Sequence, residues 1–475
     1  MKKKKAIPFI IMAVLLVALI VSYSILKKYN DEQEETTEEE TENIISCESG
    51  NVLNISIKNS SGTMKFAYDI SETVWKYDGD PDFPLDTSKI DSLLSTACSL
   101  NAVRHLEDSL DNAAEYGLDN PAYTLSLTGD DGIDVTLYIG NASSTGNYYA
   151  YIEGKNTVYM IDSTLPESLG AELNDMVKLE ELPSVSTSDV YELELNGRTY
   201  VYFEDGNPQY DYTNSNNWFE KLSDGTFSAV DTTEMNNLLT SLTGIAYTGC
   251  ADYNVTEEEM AQYGLDEANV KKVVERYYVT ESGDSESESA TSSEAESETE
   301  EEEVKTPHEI TFYIGNKDEE GNYYVKSSEG TAVNIVSADT IDAIIGVNQS
   351  DLVSKNVLSI NSDSINSMVV SANGKTYNVI ADGKVTDSDK YDSVNQAISS
   401  IAAESTISDA SSVQPNQPEL TVEYKLNSEY FDTVTMEYTK YNGSYYQVSI
   451  NGKTELLVVK STIDDIIKDL QEIEP

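Results

Sequence analysis

The chain has 475 residues, of which 85 are acidic and 30 are basic, so its formal net charge is -55. Proteins bind nucleic acids and anionic lipid surfaces through Lys and Arg, and this balance argues against both partners. The length allows about three domains of ~150 residues each. A hydrophobic content of 39% is enough to build their cores.

The N-terminal residues have the pattern of a membrane-targeting segment. Four lysines within residues 1–5 precede an apolar segment at residues 6–26. A helix of that length reaches about 30 Å, the thickness of a bilayer's hydrocarbon core. Because the lysines stay in the cytoplasm, we predict a cytoplasmic tail, one transmembrane anchor, and a chain that otherwise lies outside the cell membrane. A cleaved signal peptide, with a small-residue site at Ser22 and Ser24, is the alternative.

Beyond the anchor we predict an acidic stalk and three tandem modules. The stalk covers residues 27–50, where Glu, Asp and Thr dominate. The modules cover residues 51–183, 184–356 and 357–475. The predicted fold class is therefore α+β, with an N-terminal transmembrane helix followed by three modules of antiparallel β-sheet, each with one or two packed helices.

An internal repeat defines these modules. Each of the first two contains Tyr-Gly-Leu-Asp, Tyr-Ile-Gly-Asn and Gly-Asn-Tyr-Tyr in the same order. These sequences stand at residues 116–119, 138–141 and 146–149 in the first copy, and at residues 263–266, 313–316 and 321–324 in the second. The third module keeps only Gly-Ser-Tyr-Tyr at residues 443–446, as terminal repeats are often degenerate.

Within each module the elements follow one order: a hairpin, a helix and a sheet. In the first two modules a tryptophan, Trp75 or Trp218, stands between the hairpin and the helix. Helices are predicted at Ile90–Leu100 with Asp86 or Thr87 as cap, at Thr233–Leu242, at Tyr391–Ala403 and at Ser461–Leu470. The second module alone carries an acidic insertion, predicted as a disordered loop at residues 281–303.

We interpret Tyr-Gly-Leu-Asp as a structural signature. Its glycine is expected at positive φ, its leucine in the core, and its aspartate bonded to nearby backbone amides. These residues are Gly117, Leu118 and Asp119 in the first copy and Gly264, Leu265 and Asp266 in the second.

The chain carries no recognisable catalytic or cofactor motif. Cys47, Cys98 and Cys250 do not occupy equivalent repeat positions, and we interpret them as incidental rather than as a disulfide framework or metal site. An aspartate cluster before Asp86 resembles a calcium loop, but prolines stiffen it and Lys89 stands where a bidentate Glu is needed. We therefore expect no enzyme activity, metal or cofactor, with a carboxylate-dependent hydrolase as the remaining alternative.

Paired tyrosines are the best candidates for a partner-binding surface. The candidate residues are Tyr148, Tyr149, Tyr323, Tyr324, Tyr445 and Tyr446. Consecutive strand residues face opposite sides of a sheet, so one ring of each pair is expected to be buried and the other exposed. An exposed row of rings would stack on sugars or grip a protein. In the alternative interpretation, both rings pack inside the module.

Together, these repeated motifs resemble a domain-of-unknown-function family. Its members are membrane-anchored extracytoplasmic repeat proteins associated with gliding-motility-type ABC transporters. The resemblance implies a non-enzymatic binding protein, an auxiliary component of an ABC-type transport system with permease subunits as partners. A cell-envelope scaffold or adhesin that binds wall glycan is the alternative.

Overall fold

A computed structural model describes residues 42–106, 110–213, 216–281, 304–355, 357, 360, 362–407 and 410–473. The chain divides into two units, Met1–Lys178 and Leu179–Pro475. The first unit contains one large antiparallel sheet, and the second contains two.

The described residues of the first unit form ten strands and two α-helices. The strands are β1 (Glu42–Ser46), β2 (Val52–Asn59), β3 (Gly62–Asp69), β4 (Val74–Tyr77), β5 (Ser99–Ala102), β6 (Arg104–His105), β7 (Tyr123–Gly129), β8 (Asp134–Ala142), β9 (Tyr148–Ile152) and β10 (Tyr159–Ile161). The helices are α1 (Thr87–Ala97) and α2 (Thr164–Leu169). A 3-10 helix at Leu110–Tyr116 leads into the first Tyr-Gly-Leu-Asp sequence.

The second unit has two sheets and five described α-helices. The strands of its first sheet are β11 (Val190–Leu195), β12 (Arg198–Tyr202), β13 (Trp218–Lys221), β14 (Phe227–Ala229), β15 (Gly249–Asp252), β16 (Lys271–Glu281), β17 (Val304–Lys317), β18 (Tyr323–Ser327) and β19 (Val333–Val336). Those of its second sheet are β20 (Ile365–Ala372), β21 (Lys375–Ala381), β22 (Lys384–Val385), β23 (Ser405–Thr406), β24 (Leu420–Leu426), β25 (Thr433–Lys440), β26 (Tyr445–Ile450) and β27 (Lys453–Val459). The helices are α3 (Thr232–Thr243), α4 (Ala338–Ile345), α5 (Gln349–Leu352), α6 (Ser388–Ser399) and α7 (Lys460–Glu472).

All three large sheets share one strand order. Sheet 1 runs β4-β3-β2-β7-β8-β9-β10-β6, sheet 2 runs β14-β13-β12-β11-β16-β17-β18-β19-β15, and sheet 3 runs β22-β21-β20-β24-β25-β26-β27-β23. In each sheet the N-terminal hairpin pairs with a strand that comes after the long helix and one or two short strands: β2 with β7, β11 with β16, and β20 with β24. Buried residues of α3 and α4 share one core with sheet 2, and those of α6 and α7 share one with sheet 3.

The predicted α+β class is wrong, because the structure is mainly β. Strands account for 41% of it and helices for 23%. The longest described helix, α7, has 13 residues, whereas each large sheet has eight or nine strands. Because the helices are short and cover only part of each wide sheet, they contain fewer residues than the strands.

The predicted cytoplasmic tail, the transmembrane anchor at residues 6–26, and most of the acidic stalk lie outside the described residues. The acidic insertion also lies outside them, apart from Glu281 at the end of β16. Among the described residues, no helix combines the length and the apolar character needed to cross a membrane.

The predicted cap of helix α1 at Asp86 is confirmed, although the helix begins at Thr87 rather than at Ile90. The carboxylate of Asp86 accepts a hydrogen bond from the backbone N–H of Ser88 at 3.1 Å, which caps the helix. Asp231 caps α3 in the same way, through the N–H groups of Thr233 and Glu234. Helix α1 ends at Ala97 rather than at Leu100, because the next residues form β5 and pair with β1.

The cysteine interpretation is wrong for two of the three residues. Cys47 and Cys98 form a disulfide, with their Cα atoms 4.8 Å apart. Strand β1 pairs with β5 and places Ser46 opposite Ser99, so the neighbouring cysteines meet. The spacing of 51 residues hides this contact in the sequence. Cys250 is buried and remains a free thiol.

Glu275 is an unusual charge in the core below sheet 2. Its side chain is 2% exposed, and its Oε1 atom has no hydrogen-bond partner. It lines a small cavity of about 10 Å³ whose other described walls are uncharged: Leu182, Pro183, Val185, Leu242, Thr243, Ile245, Ile310 and Phe312. Tyr277, two residues further along the same strand, is a titratable group whose pKa is raised in part by Glu275. Burial alone raises the pKa of Glu275 from 4.5 to about 7, because an apolar site disfavours the ionised carboxylate.

This shift predicts a loss of stability as the pH rises. Glu275 is protonated in both the folded and the unfolded state below about pH 4.5, and there it carries no penalty. Between pH 4.5 and 7 the folded state binds the proton more tightly, so the free energy of unfolding falls, by up to about 3 kcal/mol at higher pH. Urea unfolding at pH 5 and pH 8 should show this fall in the native chain and not in Glu275→Gln. Glu319→Gln, in an exposed turn, serves as control, and equal pH dependence in all three proteins would refute the prediction.

Candidate binding surface

Both Tyr-Gly-Leu-Asp sequences form the predicted tight turn. Gly117 and Gly264 adopt φ values of 72° and 70°, in the left-handed region that favours glycine. The following residues, Leu118 and Leu265, are buried with exposures of 4% and 8%. In the second copy Asp266 accepts a hydrogen bond from the N–H of Ala268 at 3.1 Å, as predicted.

The turn lies directly on the strand that carries Tyr-Ile-Gly-Asn. A Cβ atom on Gly140 would stand 2.2 Å from the carbonyl oxygen of Tyr116, and one on Gly315 would stand 2.1 Å from that of Tyr263. Both distances are too short for any side chain. The two repeated sequences therefore fix each other, and the contact sets the position of the tyrosine that opens each turn.

That opening tyrosine packs on the second member of the tyrosine pair. The rings of Tyr116 and Tyr149 lie 4.7 Å apart in the first unit, and those of Tyr263 and Tyr324 lie 5.0 Å apart in the second. All four rings are half-buried. Tyr149 and Tyr324 face away from Ala150 and Val325, their buried strand neighbours, so these rings stand on the outer side of the sheet.

A further tyrosine on the neighbouring strand extends each cluster. Tyr138 pairs across the sheet with Tyr151, and their rings stack at 4.7 Å. The equivalent residue Tyr313 pairs with Lys326 instead, and a cavity of about 670 Å³ opens there beside Leu265. We define the outer tyrosine surface as Tyr116, Tyr138 and Tyr149 in the first unit and Tyr263, Tyr313 and Tyr324 in the second.

Tyr148 and Tyr323, the first members of their pairs, lie on the helix side. The hydroxyl of Tyr323 donates to Asp342 of α4 at 2.6 Å, and Lys317 bonds the same carboxylate at 2.9 Å. The hydrogen bond from Tyr323, followed by that from Lys317, lowers the pKa of Asp342. The ring of Tyr148 packs edge-on against Tyr123. These contacts tie the sheet to its own module.

The third tyrosine pair is shifted by one residue relative to the other two. The backbone N–H of Tyr441 donates to the carbonyl of Tyr445, as Asp318 does to Asn322, so Tyr445 corresponds to Asn322. Tyr446 then corresponds to Tyr323. Their cross-strand partners are Val458 and Val336, each two residues before its helix begins. The expectation that all three pairs are equivalent is therefore wrong.

Tyr446 confirms this alignment by its contacts. Its hydroxyl lies 3.0 Å from Asp464, the fifth residue of α7, just as Tyr323 bonds the fifth residue of α4. A second carboxylate, Glu419, lies 2.9 Å away, and burial together with these carboxylates raises the pKa of Tyr446. The outer position is taken by Gln447, which is buried and bonded to Gln414. The third module therefore lacks the outer tyrosine.

The expected contrast of one buried and one exposed ring is also wrong in the first two modules. Their four rings are all half-buried. The opening tyrosine of each turn covers the outer ring, whereas the inner rings, Tyr148 and Tyr323, are not fully enclosed on the helix side. The sequence-based site missed Tyr116, Tyr138, Tyr263 and Tyr313. The sequence repeat could have identified them, because Tyr116 and Tyr263 open the Tyr-Gly-Leu-Asp sequences, and Tyr138 and Tyr313 open the Tyr-Ile-Gly-Asn sequences.

The family comparison agrees with this repetition. The family described as Domain of unknown function (DUF4340) matches residues 75–268 and again residues 256–428. The chain belongs to this DUF4340 family. The first match begins at Trp75 and contains both Tyr-Gly-Leu-Asp turns, and the second contains the turn at residues 263–266, so the family unit is offset from the sheets. Comparison with curated proteins and with solved structures gave no match.

Proposed function

We propose that this DUF4340 chain is a non-enzymatic, extracytoplasmic binding protein, held at the cell membrane by residues 6–26 and auxiliary to an ABC-type transport system. The observation that carries the proposal is the outer tyrosine surface, in which three tyrosines stand at equivalent positions in both units. Rings that served only internal packing would be buried, whereas these three rings are half-exposed at equivalent positions in both units. Tyrosine is enriched at protein interfaces, where its ring is apolar and its hydroxyl is polar.

Two features support a location outside the cytoplasm. The lysines before the apolar segment favour export of the chain that follows. The disulfide between Cys47 and Cys98 fits the same side of the membrane, because such bonds persist in oxidising compartments and are rare in the cytosol.

The resemblance to transporter-associated repeat proteins favours the permease subunits of an ABC transporter as the partner. The net charge of -55 repels anionic partners such as nucleic acids and acidic lipids, and it is compatible with a protein partner. Half-exposed tyrosine rings also fit sugar rings, so an envelope scaffold that binds wall glycan is the second candidate.

Co-purification from membranes distinguishes the two candidates. The tagged full chain should retain a transporter permease, and Tyr149→Ser combined with Tyr324→Ser should remove most of it by deleting the outer rings. Tyr68→Ser combined with Tyr202→Ser is the matched control, because these tyrosines pack on Trp75 and Trp218 at the other end of the sheets. Retention of wall glycan instead, lost in the same variant, would favour the scaffold, and no difference between variants would reject the surface.

A further inference from the structure

The second unit contains a cleft between sheets 2 and 3. Its volume is about 330 Å³, within the range of small-molecule sites, and such sites often lie where two domains meet. The loop between β12 and β13 contributes Tyr210 and Tyr212, and sheet 3 contributes Lys453 and, just before β25, Phe431. Gln349, at the start of α5, stands exposed at the rim.

The cleft has an unusually polar floor. Asp211, Thr213, Asn216 and Glu220 line it, and each is at most 8% exposed. Asp211 accepts from the hydroxyl of Thr213 at 2.6 Å and from the side-chain amide of Asn216 at 3.0 Å. Buried polar groups are costly unless they are bonded, so these contacts hold the floor in one arrangement.

The charges around the cleft are balanced within the protein. Glu220 forms an ion pair with Arg198 and accepts from the amide of Gln349 at 3.1 Å. The two formal negative charges of Asp211 and Glu220 are cancelled by the two positive charges of Arg198 and Lys453. A charged ligand would find no excess of opposite charge in this partly buried site, and its desolvation would be unfavourable. The arrangement therefore favours a neutral ligand.

Aromatic rings form the side walls. Tyr212 is fixed by its hydroxyl, which donates to the carbonyl of Val357 at 3.3 Å, and by its edge-on contact with Phe431 at 6.0 Å. Tyr210 is half-buried and packs on Phe227. Rings beside amides and carboxylates suit a molecule with apolar C–H faces and many hydroxyls, because each kind of group finds a complement.

We propose that this cleft binds a neutral, polyhydroxylated small molecule of the sugar class. Gln349, Asn216 and Glu220 supply hydrogen bonds, and Tyr210 and Phe431 supply apolar faces. The inference deepens the proposed binding function by naming a ligand class, and rests on it for the role of that ligand. The cleft and the outer tyrosine surface share no residues, so the two can be tested separately.

Calorimetric titration of the purified full chain tests the proposal. The probes are N-acetylglucosamine and its disaccharide, with glucosamine and glucuronic acid as charged counterparts. One site per chain should bind a neutral sugar, and the charged sugars should bind at least about tenfold more weakly. Tyr210→Ala and Gln349→Ala should each weaken binding about tenfold or more, whereas Gln262→Ala, an exposed glutamine of the same module, should not.

Three results would overturn the proposal: no binding of either neutral sugar, tighter binding of a charged sugar, or binding that both cleft variants leave unchanged. Thermal unfolding of each variant shows whether weaker binding results from a lost contact or from a destabilised fold. Because Gln349 is exposed, its replacement should remove the contact without destabilising the fold. Absence of sugar binding by a native chain that does retain a permease would reject this site alone. Sugar binding by a native chain that retains no permease would reject only the transport role.

Discussion

Replacing Leu118 or Leu265 by alanine is expected to lower the free energy of unfolding by roughly 2–5 kcal/mol. Each leucine is more than nine-tenths buried and follows the left-handed glycine that turns the chain onto the sheet. Its removal loses transfer free energy and leaves a cavity, because the turn is pinned against Gly140 or Gly315 and cannot collapse.

The two tryptophans allow each effect to be assigned to its unit. Trp75 lies in the first unit and Trp218 in the second, and both are buried. Unfolding followed by fluorescence in a Trp218→Phe background reports Leu118→Ala, and a Trp75→Phe background reports Leu265→Ala. Ile70→Ala and Val304→Ala, at side chains exposed by 70% and 64%, are the controls and should change stability by less than about 0.5 kcal/mol. Equally small effects for the two leucines would show that these turns are not part of the core.

Loss of the disulfide is expected to cost the first unit about 4 kcal/mol. The bond closes a loop across a separation of 51 residues, and the chain-entropy relation gives this value for a loop of that length. Cys47→Ser and Cys98→Ser should therefore each destabilise the unit, and the double variant should be no worse than the larger single effect, since either change already opens the loop.

Thiol counting gives an independent check on the same bond. In protein denatured without reductant, an alkylating reagent should modify Cys250 alone, and after reduction it should modify all three cysteines. Modification of three cysteines without reduction, together with unchanged stability in the serine variants, would contradict both the bond and the extracytoplasmic location that it supports.

The sequence predicted local structure best where the repeat supplied two independent copies. The glycine conformation, the buried leucines and the Asp86 cap all depend on contacts within a few residues, and local chemistry is enough to find them. The fold class failed for a different reason. The four longest helices, α1, α3, α6 and α7, were recognised, whereas the shorter α4 and α5 were not. The width of the sheets depends on strand pairings far apart in the chain, and residue patterns do not report these pairings.

The candidate site shows the same limit. The pairs at Tyr148 and Tyr323 were found by repetition, yet the shift of Tyr445 and Tyr446 was not. A one-residue shift in the third hairpin places each tyrosine of the pair on the opposite face of its strand, although the glycine and the two tyrosines of the motif are retained. The disulfide between Cys47 and Cys98 was missed because it depends on β1 pairing with β5, and the buried carboxylate of Glu275 because one acidic residue in a strand gives no signal.

Cross-linking in intact cells tests the central claim most directly. A photoreactive amino acid in place of Tyr149 or Tyr324 stands on the outer tyrosine surface, and one in place of Tyr68 or Tyr202 stands beside a buried tryptophan as control. Illumination should join the chain to an ABC transporter permease from the first two positions and not from the controls. Equal yields from all four positions, or the absence of any transporter product from Tyr149 and Tyr324, would contradict a binding role for this surface.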